Sequence, residues 1–184
     1  MSLAEEGTRA IGSDGKEGLV RPAELEELLQ KLESHRRELV HQVQEMTEEE
    51  AGRRPAEGEW SAKEQLVHLA AFERLWLEWA MKVRDEPGCQ VGPPLPNPAA
   101  YPEAETRSVP DLLQKLASAR SDTLAAIEGL GEDELNRRGK HLLFGEMNVL
   151  QMLRSLYRHD RMHMDQMAGR DASFRPRTPG GSGI

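Results

Sequence analysis

Apolar residues recur at three- and four-residue intervals in four long stretches, the period of a helix with one buried face. The first stretch, Pro22 to Met46, carries Leu25, Leu28, Leu29, Leu32, Leu39, Val43 and Met46, with Glu and Arg on its other face. The second, about Ala62 to Arg84, carries Leu66, Leu69, Phe72, Leu75, Trp76, Trp79 and Val83. The third begins after Ser108 and carries Leu112, Leu113, Leu116, Leu124 and Ile127. The fourth runs from Asn148 to about Ala168 on Leu150, Leu153, Leu156, Met164 and Met167. Four such segments predict an all-α protein, a four-helix bundle.

Local signals mark the ends. Pro22 suits a first helical turn. Ser61 and Glu64 form a capping-box pattern, and so do Thr47 and Glu50 ahead of a short helical turn. Ser108 followed by Pro110 starts the third helix, Asn148 with Gln151 caps the fourth, and Gly169 stops it. A short helical piece is expected around Glu132–Arg137, before a polar-to-apolar stretch through His141, Leu142, Leu143 and Phe144 to Gly145. Residues 48–54 resemble residues 132–138, and each copy leads from a long helix towards a capped helix bearing histidine. Residues 86–107 carry Pro87, Pro93, Pro94, Pro96, Pro98 and Pro102, which predicts a long crossover loop without helix. The bundle then spans 21–169. Residues 1–20, with Gly7, Gly12, Gly15 and Gly18, and residues 170–184 read as flexible tails.

Composition narrows the function. Aromatic residues are 4% of the chain, which agrees with helix over sheet. A formal charge of −8 repels phosphate backbones and disfavours nucleic acid as a partner. No 18-residue apolar run is present, so no membrane span is expected. The N-terminus has no apolar core of a secretory signal, and the single cysteine, Cys89, excludes an intrachain disulfide. Both point to the cytoplasm.

The candidate chemistry lies in the fourth helix. His159 and His163 are one turn apart on one face. A metal needs a further ligand, and His68 on the second helix is the best candidate. Three histidines would leave a coordination position open, as catalytic centres do. The competing reading is two surface histidines at helical spacing by chance, since Asp160 stands where a His-Glu-x-x-His protease has glutamate. Asp160 and Asp165 read as solvated carboxylates that could alternatively orient ligands. Glu64 reads as a cap ahead of a general base. Met162, Met164 and Met167 read as core filler, His35 and His41 as solvated or interfacial, and Cys89 as incidental.

Trp60-Ser61-x-x-Glu64-x-x-x-His68-Leu69, followed by His159-Asp160-x-x-His163-x-x-Gln166, resembles the DinB/YfiT-like metalloenzyme family over residues 22–168. The resemblance implies an up-down-down-up bundle, a homodimer, and a divalent metal on His68, His159 and His163. Zinc or nickel leads the expectation, with iron or manganese behind. Some members are similar to thiol-dependent transferases, such as bacillithiol S-transferases or mycothiol-dependent maleylpyruvate isomerase. The resulting expectation is a metal-dependent enzyme acting on a small molecule. Transfer of a low-molecular-weight thiol comes first and metal-assisted hydrolysis second. The alternative is a non-enzymatic bundle that binds a partner, with a vestigial or structural metal site. No arginine set for the carboxylates of a thiol cofactor is recognisable.

Overall fold

The computed structural model describes residues 21–92 and 100–171. Residues 1–20, the proline-rich 93–99 and residues 172–184 lie outside the described residues, and with them the first tail and most of the second. Four long helices form the frame: α1 (Ala23–Gln44), α3 (Ala62–Asp85), α5 (Val109–Ile127) and α7 (Val149–Met167). Three one-turn helices connect them, α2 (Glu48–Gly52), α4 (Pro102–Thr106) and α6 (Glu132–Asn136).

The capping boxes form as the sequence predicts. The side chains of Thr47, Ser61, Ser108 and Asn148 each accept the N–H three residues on, and the residue there returns the bond. Pro22 sits one residue outside α1, as its N-cap. Gly169, at φ 64°, ends α7 in the left-handed region that glycine enters without a Cβ clash. The two similar segments, 48–54 and 132–138, do take matching forms: each contributes a one-turn acidic helix packed on the helix that follows.

One expectation is corrected, and one element was not expected. The crossover contains a helix, α4, because Pro102 occupies its first turn, where a missing N–H leaves no bond unmade. The stretch after α6 is a hairpin: β2 (Arg138–His141) pairs antiparallel with β3 (Gly145–Asn148), and β1 (Gln90–Val91) joins β2 in parallel. This sheet ties the start of the crossover to the base of α7. Gly139 faces inward, and a Cβ there would lie 2.5 Å from Val83 Cγ2 and 3.0 Å from the Cys89 carbonyl oxygen. Gly139→Ala is expected to cost about 1–3 kcal/mol, since the neighbours are packed core and backbone. Urea unfolding of the variant checks this, and an unchanged midpoint would refute it.

The core has two apolar halves. One holds Leu25, Leu28 and Leu32 of α1, Trp76 to Val83 of α3, Ile127 of α5 and Val149 to Tyr157 of α7. The other holds Leu39 and Val43 of α1, Ala62 to Ala70 of α3, Val109 to Leu116 of α5 and Met164 of α7. Helices α1 and α7 therefore run from the first half to the second, while α3 and α5 run the other way. The topology is up-down-down-up.

Between the halves lies a layer of charge. Each long helix contributes one residue: Arg36, Glu73, Arg120 and Asp160, only 7%, 1%, 5% and 1% exposed. Arg36 forks onto Asp160, with Nε donating to Oδ2 at 3.1 Å and Nη2 to Oδ1 at 2.9 Å. The same Nη2 donates to Glu73 Oε2 at 2.6 Å. Arg120 donates to Glu73 Oε1 at 2.6 Å and to Asp160 Oδ2 at 3.0 Å. Backbone carbonyls of Leu116 and Leu32 take the remaining arginine donors that point inward. The sequence placed Arg36 on the outer face of α1 and Asp160 in solvent, and both readings are overturned. Two positive and two negative charges cancel, so the layer can be buried. Asp165 is buried too, and Arg170 reaches back to it at 3.0 Å.

Candidate metal centre

The three histidines converge on the second half of the core, next to the charged layer. His68 sits two turns into α3, between the buried Leu66 and Leu69. His159 and His163 face it from α7. His159 Nε2 lies 3.2 Å from His68 Nε2 and 3.1 Å from His163 Nε2. The ligand atoms of all three lie within 4.8 Å of one another. Imidazole nitrogens bound at 2.0–2.1 Å to one ion stand about 3–3.4 Å apart at octahedral to tetrahedral angles. The spacing fits.

The outward nitrogens support the same reading. His163 Nδ1 lies 3.0 Å from Gln65 Oε1, which can only accept. The proton is therefore on Nδ1, and the Nε2 lone pair faces the centre. His68 Nδ1 lies 2.8 Å from the Tyr101 hydroxyl. His159 differs: its Nδ1 is buried without a hydrogen-bond partner. Its ring is held by Phe72, stacked with centroids 3.6 Å apart. Trp60 packs against both other rings, 4.8 Å from His68 and 6.4 Å from His163.

Burial keeps these rings neutral. Desolvation lowers the pKa of His68 to about 4. Desolvation, with the neighbouring His68, lowers that of His163 to about 3. His159 is driven well down by desolvation and then by His163, His68 and Arg36. Three neutral nitrogens aimed at one point are a donor set for a borderline divalent cation. Among the described residues the cluster contains no fourth His, Cys, Asp or Glu.

The other candidates resolve as follows. Glu64 caps α3 through the Ser61 N–H at 2.9 Å, and pairs with Arg54. Burial raises its pKa, but Arg54 and the N–H groups of Ser61 and Tyr101 outweigh that and hold the carboxylate below its ordinary value. It is a cap, as expected, and a poor base. Asp160 is engaged by Arg36 and Arg120, and Asp165 by Arg170. His141 is buried in the hairpin turn, where Nδ1 accepts from the N–H of Leu143 and Phe144. His35 stacks on Tyr157, and His41 is exposed. Cys89 packs against the Trp79 half of the core, and Met164 and Met167 fill the other half.

The sequence did not single out Gln65 or Tyr101 as site residues. Gln65 stands three residues before His68, one turn away on the same face, and that spacing is a usable signal. Tyr101 comes from the proline-rich crossover, where no periodicity relates it to a helix.

A helical bundle with three inward histidines on two of its helices defines a class, and the comparisons name it. Residues 31–167 match the DinB superfamily, and the chain belongs to it. The fold is similar to that of YfiT from Bacillus subtilis, described as "a probable metal-dependent hydrolase with an unusual four-helix bundle topology". The TM-score is 0.67 at 14% identity, over 90% of each chain. TT2238, a four-helix bundle protein, matches at TM-score 0.60 and 21% identity, over 79% of this chain and 98% of its own. A DinB-like protein of Bacillus subtilis, YjoA, matches at 0.54 and 17%, over 78% and 87%. No curated protein matches the sequence.

Proposed function

We propose that this protein is a divalent-metal-dependent enzyme acting on a small molecule, with His68, His159 and His163 as the metal ligands. The observation that carries the reading is the convergence of three neutral imidazole nitrogens, 3.1 and 3.2 Å apart along His68–His159–His163, on a point without a fourth protein ligand among the described residues. A closed structural site would use four. A divalent ion bound there lowers the pKa of water or a thiol, so that a nucleophile forms near neutral pH. The chain's own part is to hold three rings in place, with Gln65, Tyr101, Trp60 and Phe72 behind them, and to exclude bulk water through burial.

Hydrolysis is the chemistry proposed first. The support is the description of YfiT as a probable metal-dependent hydrolase, together with the absence of a recognisable arginine motif for a thiol cofactor. Thiol transfer is the second reading, carried by the family resemblance. Zinc or nickel suits the all-imidazole set best, and iron or manganese would need oxygen ligands from solvent. A cytoplasmic homodimer belongs to the same proposal. No described helix is long and apolar enough to cross a membrane.

The test is metal analysis of protein purified without a histidine tag. It is followed by assay of zinc- and nickel-loaded samples on ester, amide and thiol-plus-electrophile panels. One ion per chain is expected, with turnover abolished by a chelator and by His163→Ala. Substoichiometric metal, or turnover indifferent to His163→Ala, would overturn the proposal.

A further inference from the structure

Tyr101 touches the site from outside the four long helices. Its hydroxyl lies 2.8 Å from His68 Nδ1. Its backbone N–H donates to Glu64 Oε1 at 3.2 Å, and its carbonyl accepts the Ala104 N–H at 2.9 Å, which starts α4. Its ring meets Trp60 edge-on at 5.0 Å. One residue thus joins the cap of α3, the first turn of α4 and the outward nitrogen of His68. The phenol lies behind the imidazole, on the side away from the point where the three Nε2 atoms meet, so it does not reach a reacting group there.

The bond has two possible directions while Nε2 is free. Either Nδ1–H donates to the phenol oxygen, or the phenol O–H donates to Nδ1. Binding a cation at Nε2 leaves only the first, because the proton of a neutral imidazole must then sit on Nδ1. The oxygen of Tyr101 accepts that proton and fixes the ring's rotation. His163 has Gln65 for the same task. His159 has no such partner, and its ring is aligned by Phe72 instead. The ligands are therefore held unequally, and one of the two hydrogen-bonded ones depends on the crossover.

We propose that Tyr101 is a positioning residue for the metal, and that ion binding and the docking of residues 101–106 are thermodynamically linked through its bond to His68. The inference rests on the three-histidine metal reading above. Linkage is reciprocal: whatever factor the docked phenol adds to metal affinity, the metal adds to the docking of this segment. Loss of an outer partner of a metal-bound histidine weakens binding about 10- to 100-fold.

Tyr101→Phe keeps the ring against Trp60 and removes only the oxygen. Zinc affinity is measured by competition with a chromophoric chelator, on full-length wild type, Tyr101→Phe and His68→Ala. Hydrogen exchange of the amides of residues 101–106 is followed with and without zinc. Tyr101→Phe is expected to bind zinc about 10- to 100-fold more weakly, with metal-free thermal unfolding close to wild type. In wild type, zinc should slow exchange of the segment, and in Tyr101→Phe that slowing should vanish. If wild type binds zinc and Tyr101→Phe matches it within twofold, or retains the zinc-dependent slowing, the inference falls while the metal site stands. If wild type binds no zinc, or His68→Ala binds it equally well, the metal reading itself falls and takes the inference with it. A Tyr101→Phe protein too unstable to assay is replaced by Tyr101→Leu, read against the same His68→Ala control.

Discussion

Asp160→Ala is expected to cost about 3–5 kcal/mol of folding stability, the usual penalty for orphaning a buried charge partner. Asp160 takes three of the arginine hydrogen bonds in the central layer, two from Arg36 and one from Arg120. Its removal leaves two guanidinium groups against the single carboxylate of Glu73, buried between the two apolar half-cores. Glu73 has its own pull in each direction: burial raises its pKa, and the two arginines outweigh burial and bring it below its ordinary value. Asp160→Asn, which keeps the shape and drops the charge, should fall short of wild type by less. Replacing all four members by Leu or Met removes the desolvation cost along with the attraction, and is expected to be near neutral or stabilising by about 1–4 kcal/mol. Urea titrations of the three variants decide this. A single-site loss below about 1 kcal/mol would show that the layer is hydrated and its ion pairs worth no more than surface ones.

The four-residue layer also shows where a sequence stops speaking plainly. Arg36 is four residues after Leu32 and three before Leu39, so it occupies the next place in the apolar stripe of its helix. Arg120 stands four after Leu116, and Asp160 four from both Leu156 and Met164. Glu73 stands four after Leu69 and three before Trp76. Each charge therefore interrupts a stripe at a core position, and the phase of the interruption is the available signal. Read one helix at a time, a charged residue defaults to the solvent face. Only the pairing of two acidic with two basic interruptions, at one level of an up-down-down-up bundle, reveals that they bury one another.

The long helices were legible because their caps are local and their stripes long. The hairpin was not, because its inward positions are Gly139 and His141 and its outward ones Arg138 and Lys140. The alternation is present, but without apolar side chains to display it. Of the site, the three histidines that converge were readable from helical spacing and family resemblance. The residues behind them were less so: Tyr101 is brought to His68 by a crossover whose path no periodicity encodes.

The second large effect concerns acid. Metal-free protein is expected to lose stability between about pH 6.5 and pH 5, at about 1.4 kcal/mol per pH unit for each buried histidine that stays neutral. The sign follows from the pKa directions. Burial lowers the pKa of His68 to about 4 and that of His163 to about 3, and His159 moves the same way. The unfolded chain, with histidines near 6.5, therefore binds protons that the folded chain refuses. Stability is fully present above pH 6.5 and is lost as pH falls towards the folded values. In the upper part of that window the ordinary carboxylates are still ionised, so the slope there belongs to histidine. His163→Ala should remove one histidine's share of it, which separates the site from the remaining histidines. A bound ion should raise stability without steepening the loss, because the folded site's nitrogens stay deprotonated down to about pH 4 and hold the ion equally well across the window. Folded-state metal affinity should accordingly stay nearly flat from pH 7.5 to 5. Chelator competition at several pH values, beside urea titrations of the metal-free protein, checks both halves. A tenfold loss of folded-state affinity per unit between pH 7 and 6 would mean that the rings are hydrated and titrate as in open water, and that the centre is not the dry, pre-formed donor set inferred from its geometry.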